Sequence, residues 1–264
     1  MKKLLIVKIG GGLLTDKSKP YQLNQKFVDR LTDLFPKKIL DDFDVIIGTG
    51  AGSFGHYEAK KHGLTSGVKD HEQLLGACKT HLGVQRLNRI AVEKLLDGQM
   101  PAFSISPSAL FTSRDSHATQ VNIKPIRAAL ANNLMPVIHG ETVIDDKRGI
   151  AIFSTERSMI TLLRSLAKYY DEVSVILLTN PDGVLVDGKT LPIISTKDAL
   201  NFSGVNGFDV TGGMRTKVDD ALALAKLGAQ VTICSGHTPN IIGRIINGEQ
   251  LGTLVAIEKN PGKR

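Results

Sequence analysis

A chain of 264 residues, 42% hydrophobic and 22% charged, has the composition of a soluble globular protein and can bury one large α/β core or two lobes. Its net charge of +7 is spread without any Lys/Arg block longer than two before the tail and with only 5% aromatics, which argues against nucleic acid and for small phosphorylated ligands. Cys78 and Cys234 make neither a metal-ligand spacing nor a disulfide framework, so packed free thiols in a reducing cytoplasm are expected, and no window approaches the ~20 apolar residues of a membrane helix.

The chain opens on an apolar run, Leu4-Leu5-Ile6-Val7, that Lys8 interrupts too soon for the core of a secretory leader; residues 3–9 are read as a buried first strand. A helix is expected over 24–40, a strand over 44–48 and a long helix over 71–97. A strand at 101–105, a helix at 124–132 and a strand at 135–139 follow. The last third reads as a helix at 156–169, a strand at 173–179, a helix at 214–227, a strand at 230–234 and a helix at 239–246. Short apolar strands alternating with helices predict βαβ units and a largely parallel sheet covered on both faces. Lys147-Arg148-Gly149 and Asp187-Gly188 have hairpin chemistry, and add antiparallel β structure beside that sheet. No linker rich in Pro, Ser or Gly divides the chain, so one continuous fold with two lobes, about 1–150 and about 151–264, is expected.

Three distant segments combine glycines with a catalytically useful side chain. Lys8 ends the first strand and precedes Gly10-Gly11-Gly12; a lysine there is costly to bury without an anionic partner. Lys17, a little farther on, reads equally as a solvated loop lysine. In the second segment, Gly50-Ala51-Gly52-Ser53-Phe54-Gly55-His56, the glycines formally satisfy the dinucleotide fingerprint. The segment follows the second strand rather than the first, and no convincing strand-end acid follows at the required distance, which counts against a nicotinamide oxidoreductase. His56 stands at an expected helix start, where an imidazole either caps the helix or donates to a phosphate oxygen. The third segment, Thr211-Gly212-Gly213-Met214-Arg215-Thr216-Lys217, opens a helix whose N-terminal amides and Lys217 can hold nucleotide phosphates.

Ser154-Thr155-Glu156 begins another helix. Its hydroxyls serve as N-caps, while Glu156 can hold Lys8 and Lys217 through ion pairs. Thr179-Asn180-Pro181-Asp182-Gly183 follows a strand and reads either as a turn or as a nucleotide contact. No Walker loop exists in the chain, and no set of histidines makes a metal-ligand pattern. On the long helix, Leu74, Leu75, Ala77, Cys78 and Leu82 offer either core packing or the wall of a pocket for a short apolar tail.

With these residues in place, the chain resembles the amino acid kinase superfamily, and within it the isopentenyl phosphate kinases. The similarity runs from Lys8-Ile9-Gly10-Gly11 to Asp209-Val210-Thr211-Gly212-Gly213-Met214, with Gly52-Ser53-Phe54-Gly55-His56 as its specific signature. The resemblance implies an open αβα sandwich with the acceptor in the N-terminal lobe and ATP, with Mg2+, in the C-terminal lobe. It implies that Lys8, Lys17 and Lys217 stabilise the transferring phosphoryl group and that His56 binds the acceptor phosphate. Ala51, Gly55, Ser154 and Thr155 would line the acceptor side. Gly10, Gly11, Gly12, Gly52, Glu156, Thr179, Asp182, Gly183, Gly212 and Gly213 would face the nucleotide. A homodimer is implied as well. The chain departs from the family pattern at Ala51, at Glu141 in place of an aspartate, and at Ser154-Thr155-Glu156 in place of a glycine-aspartate pair. Hydroxyls at the last position would also suit a phosphonate acceptor, as in the fosfomycin kinases; a non-catalytic nucleotide sensor is a further alternative.

Overall fold

The computed structural model describes residues 1–16, 18–195 and 212–257. Along the chain run β1 (Lys3–Ile9), α1 (Gly11–Leu14), α2 (Gln25–Val28), α3 (Ile39–Asp42), β2 (Asp44–Thr49), α4 (Gly52–Lys61), α5 (His71–Asp97) and β3 (Ala102–Ser104). They continue with β4 (Phe111–Arg114), β5 (His117–Val121), α6 (Lys124–Ala131), β6 (Met135–His139), β7 (Glu141–Asp145), β8 (Gly149–Phe153) and α7 (Thr155–Leu166). The rest is β9 (Glu172–Thr179), β10 (Leu185–Val186), β11 (Lys189–Thr190), β12 (Ile193–Ser195), α8 (Gly212–Ala225), β13 (Gln230–Ser235), α9 (Ile241–Ile246) and β14 (Thr253–Ala256).

The main sheet has the order β12-β14-β13-β9-β1-β2-β6-β3. It is parallel from β13 to β3, with β14 reversed against β13. Strand β1 shows why it sits at the centre. Leu4 and Ile6 enter the core on one face of the sheet, while Leu5, Val7 and Ile9 enter the core on the other. Burial on both faces is what a continuous apolar run with period-two geometry produces. From β1 the chain builds outward through β2 and β6 on one side, and later through β9 and β13 on the other. The order therefore reverses between β1 and β9, and a crevice opens outside the carboxyl ends of those strands.

The expected long helix over 71–97 is α5, and all six expected strands form in the main sheet. Both expected hairpins form. Asp187 and Gly188 turn β10 into β11 with φ of 49° and 75°, and Gly149 closes the β7–β8 turn with φ of 72°. The helix expected over 24–40 does not form as one piece. It is α2, a 3-10 turn at Leu31–Leu34, and α3. Pro36 has no N–H to donate and disfavours helical geometry at Phe35, so the chain breaks there while its apolar residues still reach the core. His56, expected at a helix start, instead lies inside α4, which begins four residues earlier at Gly52.

A smaller sheet has the order β5-β4-β7-β8. Asp145 locks its two turns together. The carboxylate accepts from the Ser113 hydroxyl (2.7 Å) and from the backbone N–H groups of Asp115, Ser116, Lys147 and Arg148. Burial alone would raise its pKa; these donors outweigh that and hold it well below the ordinary carboxylate range.

Candidate active site

The site begins with a missing side chain. Lys8 is paired across the sheet with Gly48 of β2. A Cβ on Gly48 would lie 2.6 Å from Thr155 Cγ2, so only glycine lets the start of α7 settle on the strand there. Thr155 then donates its hydroxyl proton to Thr49 O (2.8 Å), and Ser154 caps α7 by accepting from Arg157 N (3.1 Å). The next residue is thereby brought against β1. Lys8 Nζ and Glu156 Oε1 stand 2.7 Å apart, with Lys8 6% and Glu156 9% exposed. Burial pushes the Glu156 pKa up, but Lys8, a backbone hydrogen bond and the Lys217 charge win, and the carboxyl lies below its ordinary value.

The glycine loops pack back to back. Gly10 N donates to Leu178 O (3.0 Å) and Gly50 N to Ile9 O (2.9 Å), so each loop continues its strand pairing past the strand end. Any Cβ on Gly11 would strike the backbone of Gly52, and one on Gly50 would strike Gly11. Asn180 adds a tie from the β9 loop by donating to Gly12 O (3.2 Å).

These elements enclose a cavity of about 440 Å³. Lys8, Gly10, Gly11, Gly12, Gly50, Ala51, Gly55, His56, Ser154, Thr155, Glu156, Thr179 and Lys217 all line it. Ala51, Gly55, His56 and Ala59 form one face of α4 at helical spacing, and Thr80 with Val84 forms one face of α5. The lining combines lysines and glycines with the apolar side chains of Leu13, Ala59, Val84, Ile152 and Phe153.

Not every expected site residue reaches this cavity. Gly52 does not line it; at φ +50° it fills the space against Thr15 and Gly11. Asp182 lines a different pocket with Cys234, Ser235 and Arg244, and Gly183 packs on Thr190 and Thr253. Gly212 and Gly213 open α8, whereas Lys17 and Asp209-Val210-Thr211 lie outside the described residues. The α5 residues offered as an apolar wall are also corrected. Leu74, Leu75, Cys78 and Leu82 are exposed, and Ala77 packs with Ala59 and Leu64, because the helix turns Thr80 and Val84 to the cavity instead.

A sequence profile of the amino acid kinase family matches residues 3–235. The chain belongs to the amino acid kinase family. The isopentenyl phosphate kinase of Methanocaldococcus jannaschii is 32% identical over 268 residues, covering 96% of this chain and 98% of that protein. That of Methanothermobacter thermautotrophicus is 29% identical over the same shares of the two chains. A solved isopentenyl phosphate kinase structure superposes with a TM-score of 0.79 at 26% identity, over 96% of this chain and 100% of that one.

Within this amino acid kinase, two further polar features line the cavity: Glu141, known from the sequence only as a departure from the family pattern, and one residue the sequence reading did not single out. Glu141 lines the cavity from the start of β7 with a fully buried side chain. Its carboxylate accepts from Ser108 N (2.7 Å) and the Ser106 hydroxyl (3.0 Å), and faces His81 Nδ1 at 3.0 Å and His139 Nε2 at 3.2 Å. Burial again raises the carboxyl pKa, and His139, Ser108 and His81 together bring it below its ordinary value. The glutamate thus pins α5 to the ends of β6 and β7. The second feature is Asp220, which lines the cavity one turn beyond Lys217; that i, i+3 spacing was the available signal.

Proposed function

We propose that this chain transfers the γ-phosphoryl group of ATP to the phosphate of isopentenyl phosphate, giving isopentenyl diphosphate. The observation that carries this is the single cavity lined by Lys8, His56, Glu156 and Lys217, by residues of two glycine loops and by apolar side chains. The relatives' names supply the acceptor, and the apolar lining suits its short hydrocarbon tail.

In this reading an oxygen of the acceptor phosphate forms the new P–O bond as the β,γ-bridging bond breaks and ADP leaves. A phosphate monoester is already anionic, so no general base is required. Lys8 and Lys217 offset the charge on the moving phosphoryl group, with Glu156 fixing Lys8 in place. His56 hydrogen-bonds the acceptor phosphate, and Lys17 completes the cationic set. The N-terminal lobe would then hold the acceptor, and the C-terminal lobe the nucleotide. Among the described residues no group of three His, Cys, Asp or Glu side chains could hold a metal ion. In this reading magnesium is carried on the nucleotide phosphates and water, where it would neutralise phosphate charge. The exposed stripe of Leu74, Leu75, Cys78 and Leu82 suits a homodimer contact. Among the described residues no helix is long and apolar enough to cross a membrane, and we place the activity in the cytoplasm.

Thr155 spends its hydroxyl proton on Thr49 O, while Ser154 accepts from Arg157 N; the names of the relatives favour the phosphate over the phosphonate acceptor. The test is a coupled ADP-release assay with magnesium and ATP, offering isopentenyl phosphate or fosfomycin. Turnover on the first, reduced at least about 100-fold by His56→Ala, is expected. Turnover on fosfomycin alone, or on neither, would overturn the reading.

A further inference from the structure

Phosphoryl transfer as described leaves one charged group of the cavity without a task. Asp220 shares the cavity with Lys8, Glu156 and Lys217. Burial disfavours its charged form, the Glu156 carboxylate adds repulsion, and Lys8 and Arg157 offset these only in part. Asp219 beside it adds further repulsion, and the result is a carboxyl raised to about 6. The charged groups that act on it are Lys8 on β1, Glu156 and Arg157 on α7, and Asp219 on α8, and Lys217 of α8 lines the same cavity. His56 on α4 and Glu141 on β7 stand on the same cavity.

A nucleotide changes this balance in one direction. Its polyphosphate brings several negative charges into the cavity and draws on Lys217 and on Lys8, one of the two cations that offset Asp220. A carboxylate and a phosphate oxygen repel each other at close quarters, whereas a carboxyl group can donate its O–H to that oxygen. The remedy is a proton from solvent, taken up on an Asp220 carboxylate oxygen with no other bond made or broken.

We propose that Asp220 is a positioning residue that takes up a proton when nucleotide enters the cavity, so that nucleotide binding is proton-linked through this one side chain. The inference rests on the cavity being the nucleotide site.

Calorimetric titration tests it with the magnesium complex of β,γ-imido-ATP and no acceptor, in two buffers of different ionisation enthalpy near pH 7. If Asp220 rises from about 6 to about 7, its protonated fraction climbs from about one tenth to about one half, an uptake of about 0.4 proton per nucleotide. Asp220→Asn should abolish that increment, and Asp219→Asn, on the exposed side of the helix, should retain it. Should Asp220→Asn fail to fold, Asp220→Ser carries the same comparison. Equal uptake by wild type and the Asp220 variant, or no uptake by wild type between about pH 6 and 8, overturns the proposal while leaving the kinase reading intact. Absence of any binding heat would overturn both.

Discussion

Lys8 and Glu156 make the residue-scale problem of this fold plain. Each is nearly removed from water, and each is tolerable only because the other is 2.7 Å away. Breaking a buried pair from one side costs about 3–5 kcal/mol, because a bare charge is left behind. Lys8→Met does this to Glu156, with the nearby Lys217 charge softening the loss to about 2–4 kcal/mol. The pH dependence has a definite sign. In the wild type the Glu156 pKa is lowered from 4.5, so its contribution is present above that value and lost as pH falls. Without Lys8, burial dominates and the folded pKa moves above the unfolded one. The variant's deficit should then be small at acid pH and grow as pH rises through the new value. Urea unfolding at about pH 5 and about pH 8 reads this directly; a deficit independent of pH would mean that lost packing, not the uncovered carboxylate, is responsible.

At the scale of elements, the site depends on how closely α7 approaches β2. Gly48→Ala places a methyl group where Thr155 Cγ2 now lies, at 2.6 Å, and also within 3.3 Å of the more adaptable Met159 Sδ. The start of α7 has to lift, taking Glu156 away from Lys8. We expect at least about a tenfold fall in turnover with a loss of about 1–3 kcal/mol. Thr155→Ser removes the offending methyl group, so the double variant should recover most of both. Additive effects in that cycle would show that the helix start is not what Gly48 accommodates. This dependence also explains what could be read from the chain beforehand. The strands, α5, the glycine loops and the need of Lys8 for an anion follow from local pattern and charge. Thr80 and Val84 were not legible, because each depends on which face of a helix turns toward the carboxyl ends of β1 and β9, whereas Asp220 had only its i, i+3 spacing from Lys217 to mark it. The unbroken helix expected over 24–40 failed at Pro36, where the apolar spacing outlasted the backbone geometry needed to use it.

For the whole molecule, the question is whether the two proposed lobes are separate folding units. The cavity draws Lys8 and His56 from the first half, and Glu156, Lys217 and Asp220 from the second. The sheet runs through the junction, with β1 and β9 in parallel register from Lys3↔Glu172 to Ile9↔Leu178. Neither core stops there. One face gathers Leu4, Ile46 and Ile138 with Met159, Val175 and Val231, and the other gathers Leu5, Ile47 and Phe54 with Ile176, Leu178 and Ile241. Cutting the chain at the lobe boundary would expose the edge of β1 and strip apolar surface from both layers at once. Denaturant unfolding of the full chain should therefore give one cooperative transition, with far- and near-ultraviolet circular dichroism coinciding. A fragment of residues 1–153 should give no cooperative transition of its own. Two separated transitions in the full chain, or a folded fragment, would mean that the lobes carry their own stability and meet only at the ligand. A single transition would mean that the site is assembled whenever the protein is folded, leaving nucleotide and acceptor only the cost of their own ordering.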